Sequence, residues 1–392
     1  MPKPVIVSAV RTAIARSFKG SLVNVASETL ATEIIVEAVR RSGIAPSEVD
    51  DVILAELNYG GGDLARHAAV AAGWHSVPGQ AVNRHCAGSL TSIANASAHI
   101  ASGMERVIVA GGVQSLSTAP LMKWRVPGSD PMEFVEPWMP PSHPETPDAP
   151  TIDMAITVGW NTAKKVGISR EAMDEWALRS HQRAVAAIDA GKFVDEILPL
   201  KVAAADGSVV DFAVDEHPRR DSSLERMAAL PVLHPEIEGF SITAGNSSGI
   251  NDAASAVALT ADDYAIANGL ETLATVRSWA STAVTPADNG IAAVNVIGKI
   301  LDRTGLKVED VALWEINEAF ASVPIAAVRA HGIDEEKVNF SGSGCSLGHP
   351  ISASGARQIT TLVYELRRRG GGIGVSAMCA GGGQGGALVI EV

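Results

Sequence analysis

Short runs rich in Val and Ile, bounded by breakers, alternate along this chain with stretches whose apolar residues recur every three or four positions. Pro4 to Ala9 is the first such run and predicts a buried strand. Ser27 to Ser42 aligns Leu30, Ile34, Ile35, Ala38 and Val39 on one face, which predicts a helix with Ser27 as its N-cap and Gly43 as its stop. Val49 to Leu57 returns to strand character. Further on, Gln80 to Asn83 and Ile373 to Met378 read as strands, while Ala87 to Ser102 and Ile351 to Arg369 read as helices. Alternation of this kind predicts an α/β fold with parallel or mixed sheets under helices.

The pattern also repeats. Glu37 to Asn58 (EAVRRSGIAPSEVDDVILAELN) and Val296 to Asn317 (VIGKILDRTGLKVEDVALWEIN) share a helix end, a glycine, a short acidic turn and a strand closing on Glu, an apolar residue and Asn. Val82-Asn83 then precedes Cys86 and a helix, as Val338-Asn339 precedes His349 and a helix; Gly103 to Gly112 matches Gly370 to Gly383. Two duplicated βαβ-type halves follow, residues 1–119 with 250–268 and residues 269–392. Residues 120–249 between them form an inserted loop domain. Leu121 to Pro150, crowded with Pro, Met and Trp, is expected to be irregular, and Asp153 to Gly191 to be helical from a start at Ser169.

Composition narrows the class. With 392 residues, 46% hydrophobic and 19% charged, the chain has the material for more than one globular core. Aromatics are scarce at 4% while glycines number 37, so close approach of backbones is an expected theme. A formal net charge of −13 argues against nucleic acid or an anionic membrane as partner. No apolar run suffices to span a bilayer and no signal core is seen at the start, so a cytoplasmic setting is expected. An anionic ligand would need a local basic patch. Lys123, Arg125, Lys164, Lys165, Arg179, Arg183, Lys192, Lys201, Arg219, Arg220 and Arg226 in the inserted region are its candidates, against the plainer reading of a solvated surface.

Cys86, Cys345 and Cys379 are too few and too scattered for a disulfide framework or zinc cluster, so reduced thiols are expected. Cys86 falls at a helix start, where the backbone dipole is expected to lower its pKa and make it a nucleophile; a buried structural cysteine is the alternative. His349 lies between Gly348 and Pro350 before a helix. If the repeated halves meet face to face, Cys86 comes within hydrogen-bond reach of His349, the arrangement of an activated nucleophile. Cys379 leads into Ala380-Gly381-Gly382-Gly383, whose unshielded amides could receive an oxyanion. Asn317, in NEAFA, could hold a water beside His349.

These stretches resemble the thiolase family. The likeness runs through VIVSAVRT at residues 5–12, the loop at Cys86, AGGVQSLSTAP at 110–120, DEHPRR at 215–220, TAGNSSGINDAASA at 243–256, NEAFA, GHPISASGAR and CAGGGQGGALVIE. It implies the thiolase fold, with mixed sheets and helices in an αβαβα layering, and the interconversion of 3-ketoacyl-CoA and acetyl-CoA. By resemblance Cys86 is the nucleophile, His349 its base, and Cys379 the acid/base at the α-carbon or the leaving thiolate. His349 with a water on Asn317 forms one oxyanion hole; the amides of Cys86 and Gly381 form the other. Arg219, Ser248, Met154 and Phe320 stand at positions assigned to coenzyme A and substrate contacts. Coenzyme A enters as substrate, with no metal or other cofactor, and a homodimer or homotetramer is implied.

The chain departs from the family pattern at several points. Cys-x-Ser-Gly becomes Cys86-Ala87-Gly88-Ser89, Asn-x-Asn-Gly-Gly becomes Asn339-Phe340-Ser341-Gly342-Ser343, a His-Met pair becomes Asp153-Met154, and Cys345 fills an apolar position. These bear on acyl-chain specificity. A degradative 3-ketoacyl-CoA thiolase is the leading expectation, a biosynthetic acetoacetyl-CoA thiolase the second, and a non-catalytic acyl-CoA-binding subunit the third.

Overall fold

A computed structural model describes residues 2–57, 59, 61–203 and 207–392. The first part of the chain forms β1 (Pro4–Thr12), β2 (Ala15–Arg16), α1 (Ser27–Ser42), β3 (Asp51–Ala55), α2 (Leu64–Ala71), β4 (Gly79–Val82), α3 (Gly88–Ser102) and β5 (Val107–Gln114). The insertion holds β6 (Met122–Arg125), β7 (Phe134–Trp138), α4 (Asn161–Val166), α5 (Arg170–Asp189), β8 (Ile197–Leu198), β9 (Leu200–Ala203), β10 (Val209–Phe212) and α6 (Leu224–Ala228). Then come β11 (Asn251–Ala261), α7 (Asp262–Ala267), β12 (Ala274–Ala283), α8 (Ile291–Thr304), β13 (Val311–Ile316), α9 (Ser322–His331), α10 (Ser354–Arg368), β14 (Ile373–Ala380) and β15 (Gln384–Glu391).

The strands pair in the order β13-β14-β15-β12-β1-β11-β5-β3-β4. The halves join where β1 meets β12 at Val5–Thr275 and Ile6–Ala274, so the two expected sheets are one hydrogen-bonded path. Helix α3 packs on β3, β5 and β11 of one half and on β15 of the other; α10 packs on β13 and β14 as well as β1, β5 and β11. Helices α1 and α8 cover opposite outer faces, which yields the αβαβα layering. The two central helices are therefore buried over most of their length, opening to solvent only towards their C-terminal ends.

Small residues make this possible. A Cβ at Gly112 in β5 would collide with the Ser352 carbonyl of the loop entering α10, and one at Gly355 would lie 2.7 Å from the Leu90 amide of α3. Leu30, Ile34 and Ile35 of α1 are fully buried, each stabilising the fold by about 1.5–3 kcal/mol relative to exposure.

The repeat is visible in backbone detail. Helix α1 ends at Gly43 (φ 74°), turns through Pro46–Glu48 and enters β3; α8 ends at Gly305 (φ 69°), turns through Val308–Asp310 and enters β13. Left-handed φ suits glycine at both stops. Asn58, the closing residue of the first copy, lies outside the described residues. Ser27 proves to be the first helical residue; Ala26 occupies the N-cap position without a side-chain bond.

Ser169 does cap α5, accepting from the Ala172 amide. Leu121 to Pro150, expected to be irregular, contains the β6–β7 hairpin, closed by stacked Trp124 and Trp138 rings 4.7 Å apart. Proline spacing concealed a pairing that two tryptophans hold. The insertion is tied to the sheet through buried Arg11, which donates to Glu196 at 2.7 Å and to both Asp215 oxygens at 2.8 and 2.9 Å.

Candidate active site

Leaving β4, the chain turns sharply at His85 (φ 45°), whose amide donates to Asn83 Oδ1 at 3.0 Å. His85–Ala87 form a single 3-10 turn ahead of α3, so Cys86 stands outside the α-helix proper. The Gly381 amide faces the Cys86 thiol and favours its thiolate form. The His85 ring lies against Gly381, where a Cβ would be only 2.9 Å from His85 Cγ.

The expected low thiol pKa is not found. Burial pushes Cys86 up to about 11, outweighing the two backbone amides that favour thiolate. At rest this cysteine carries its proton.

His349 is held from three directions. Gly348 (φ 108°) passes so close to Asn251 that a Cβ would be 2.5 Å from its side chain, and the His349 amide donates to Asn251 Oδ1 at 3.0 Å. Ser354 Oγ is 2.6 Å from His349 Nδ1 and donates to the Pro350 carbonyl at 2.8 Å. One hydroxyl proton cannot serve both, so Nδ1 carries the proton and Nε2 the lone pair. Asn317 Nδ2 sits 3.4 Å from each ring nitrogen, and its buried Oδ1 has no protein partner among the described residues. Burial, then the Arg357 charge, lower the imidazole to about 4, so it is neutral and able to accept a proton.

Cys379 is the penultimate residue of β14, buried, its thiol pushed far above the ordinary range by burial and then by nearby Cys86. The two thiols thus share one site. The Cys86 turn packs on β14 and on α10, whose Ala356 amide donates to Ser89 Oγ at 3.0 Å. Thiol and imidazole turns therefore meet through packed helix starts; among the described residues no direct Cys86–His349 hydrogen bond is made. Cys345 is structural, its Sγ 3.7 Å from the Glu318 carbonyl oxygen.

Glu318 beside Asn317 is fully buried and fully satisfied. It accepts from Trp176 Nε1 (2.9 Å), Ser180 Oγ (2.6 Å), Asn339 Nδ2 (2.7 Å) and the Cys345 amide (3.1 Å). That network locks NEAFA to the insertion and to the loop before His349.

Phe320 bridges to Ser247, and the Ser248 amide donates to the Ala319 carbonyl at 2.9 Å. Phe320 and Ser248 thus lie beside Asn317, and Met154 packs against the large apolar cluster that contains Phe320. Arg219 is solvent-exposed and gives its amide to His181 Nδ1 at 3.1 Å. The wider basic patch is largely neutralised: Arg179, Arg183, Lys165, Lys192, Lys201, Arg220 and Arg226 pair with Glu335, Glu336, Asp288, Glu365, Asp211, Asp189 and Asp221. Most of these cations thus already have carboxylate partners within the protein.

A protonated thiol under a glycine amide, a second thiol beside it and a neutral histidine whose Nε2 carries the lone pair can perform acyl transfer through a thioester. Comparison with known proteins agrees. Residues 4–263 match the model described as thiolase, N-terminal domain, and residues 270–392 that described as thiolase, C-terminal domain. The chain belongs to the thiolase family.

The thiolase is 39% identical to the acetyl-CoA acetyltransferase of Escherichia coli K12, over 100% of this chain and 99% of that one. It is 36% identical to the 3-ketoacyl-CoA thiolase of Bacillus subtilis 168, over the full length of both. The crystal structure of Bacillus anthracis acetyl-CoA acetyltransferase matches with TM-score 0.91 and 37% identity, over 100% of this chain and 99% of that one. This thiolase is therefore an acyltransferase, acting by thiolytic cleavage or the reverse Claisen condensation.

Sequence reading missed the residues that orient the thiolase site. Ser354 is five positions beyond His349 and reaches it because Pro350 turns the chain into α10; Asn251 arrives from 98 residues away. A Ser in the first turn after Gly-His-Pro is a signal that could have been used. The partnership with Asn251 has no local mark.

No helix among the described residues is long and apolar enough to cross a membrane.

Proposed function

We propose that this thiolase cleaves 3-ketoacyl-CoA with coenzyme A through an acyl-Cys86 intermediate. The observation that carries the reading is the position of Ser354 Oγ, 2.6 Å from His349 Nδ1 and 2.8 Å from the Pro350 carbonyl, which assigns the ring proton to Nδ1 and leaves Nε2 as a base in the site where both thiols are protonated.

In the first half-reaction His349 Nε2 takes the Cys86 proton while Sγ attacks the 3-keto carbon. The alkoxide is received by the Gly381 and Cys86 amides. Its collapse breaks the bond between C2 and C3, leaving the shortened acyl group on Cys86 and an enolate of acetyl-CoA. The enolate oxygen faces the protonated His349 and Asn317, and Cys379 protonates its α-carbon. In the second half-reaction the Cys379 thiolate takes the proton of coenzyme A, whose sulfur attacks the acyl thioester. Cys86 leaves and recovers its proton from His349. Cys86 regains its own proton, the proton that Cys379 gives to acetyl-CoA is replaced by that of coenzyme A, and no further cofactor enters.

Met154, Phe320 and Ser248 would contact substrate or the pantetheine arm, and Arg219 the nucleotide end. Proximity to Asn317 supports Phe320 and Ser248, packing against the same apolar cluster as Phe320 supports Met154, and solvent exposure fits Arg219 to a phosphate. A cytoplasmic homodimer, or a pair of dimers, is the assembly this reading carries.

Thiolysis of acetoacetyl-CoA and of a longer 3-ketoacyl-CoA, beside Cys86→Ala, tests the proposal. Turnover of the longer ester supports the degradative role. Activity confined to acetoacetyl-CoA would instead favour the biosynthetic role; the Escherichia coli and Bacillus anthracis relatives are named acetyl-CoA acetyltransferases.

A further inference from the structure

Asn289 is 1% exposed, yet neither its side-chain oxygen nor its nitrogen has a partner among the described residues. Its backbone is fully used: the amide donates to the Pro286 carbonyl at 3.1 Å and the carbonyl accepts from Ala292 at 3.0 Å. The side chain is what remains. A second orphan lies alongside. Thr162 Oγ1 of α4 is also buried and unpartnered, and it sits against Gly290, where a Cβ would collide with it. Buried amides and hydroxyls are almost always paired, so two adjacent exceptions call for a ligand group.

Their place is next to the chemistry. The Val284 amide donates to the Gly383 carbonyl at 2.7 Å, holding the Asn289 segment to the loop that follows Cys379. Asn161, before Thr162, donates to Ala287 O at 3.0 Å and to Asp148 O at 2.7 Å. Ser142 in turn lies against Gly382. The segments of Ser142 and of Val284–Asn289 thus flank the Cys379–Gly383 loop, and the helix of Thr162 is tied to both of these stretches through Asn161, at Asp148 and Ala287, with Thr162 itself against Gly290.

We propose that Asn289 and Thr162 form a polar end to the acyl pocket, so that the favoured 3-ketoacyl-CoA carries a neutral oxygen function, a hydroxyl or carbonyl, on its acyl chain. The inference rests on the thiolase reading above and specifies its substrate class. An amide offers donor and acceptor together, and the threonine hydroxyl can do either, which suits a group that both gives and accepts. A carboxylate fits less well. Neither residue is charged, and the adjacent Asp288 is already closed by Lys165 at 2.7 Å and Thr285 at 3.0 Å.

The test uses the full-length protein and three 3-ketoacyl-CoA esters of one chain length ending in methyl, hydroxyl and carboxylate, with acetoacetyl-CoA as reference. In the unmodified protein kcat/KM for the hydroxyl ester should exceed that for the methyl ester by about 10-fold or more. Asn289→Leu should bring that ratio to one or below, and Thr162→Val should lower it in the same sense. A ratio of one or below in the unmodified protein would overturn the proposal, as would a preference for the carboxylate. So would a ratio unchanged in both variants, which would mean that the orphan atoms hold only a buried water. If Asn289→Leu fails to fold, Thr162→Val and the unmodified ratio decide. Failure to cleave even acetoacetyl-CoA would instead strike the thiolase reading and this inference with it.

Discussion

Ser354 Oγ stands 2.6 Å from His349 Nδ1 and donates its own hydrogen bond to the Pro350 carbonyl. That single hydroxyl decides which imidazole nitrogen is basic. Ser354→Ala removes the acceptor and frees the ring to take the other tautomer. kcat is expected to fall about 10- to 100-fold with KM little changed, because positioning of a base acts mainly in the transition state. Ser354→Thr should recover part of the loss. Steady-state kinetics on both variants checks this; a changed KM at constant kcat would contradict it.

The pH dependence follows from burial. His349 has a folded value near 4, below its ordinary 6.5, so the acid limb of kcat/KM should lie far below that of a free histidine. The sign for stability is the same: the unfolded chain takes the proton first. The contribution of the neutral ring is complete above 6.5 and lost as pH falls towards 4. A pH profile with circular dichroism at each point measures both. Half-loss of activity near 6.5 in folded protein would contradict the account.

Gly381 has space for no side chain. Gly381→Ala would place a methyl group 2.9 Å from His85 Cγ and displace the amide that meets Cys86. Loss of one such donor costs about 100- to 1,000-fold in kcat. An unchanged melting temperature beside that loss would locate the effect in the oxyanion site.

Glu318 is a stability prediction. Four donors converge on this carboxylate, and Glu318→Ala strands all of them in the interior. Destabilisation of about 3 kcal/mol or more is expected, read by urea or thermal unfolding. A shift below about 1 kcal/mol would show that the network relaxes around the gap.

What could be read from the sequence was mostly local and periodic. The glycine stops at Gly43 and Gly305, the cap at Ser169 and the strands entering and leaving each repeat follow from spacing and backbone sterics. The four stretches that carry Cys86, Asn317, His349 and Cys379 were visible because each sits at or beside an element's end, three of them marked by glycine and NEAFA by the strand it follows. What escaped depends on partners distant in sequence. Arg183 looked like a free cation until Glu336, 153 positions later, was placed beside it. The dipole argument for Cys86 failed because desolvation of a thiol packed between two halves cannot be seen in either half. The Trp124–Trp138 contact likewise lay hidden under proline spacing.

Separate roles for the two thiols can be resolved by one variant. Cys379→Ala should still acquire the acyl group on Cys86 from an acyl-CoA donor, while proton transfer at the α-carbon and overall turnover stall. Absence of the adduct in that variant would mean that the second thiol is needed for acylation too.

The central claim is the covalent intermediate on Cys86. Brief exposure to acetoacetyl-CoA, acid quench and peptide mass spectrometry should find one acetyl group, on the peptide containing Cys86, removed on addition of coenzyme A and missing in Cys86→Ala, which should also be inactive. An acetyl group on another residue that forms and clears at the rate of turnover, or full turnover by Cys86→Ala, would contradict the account.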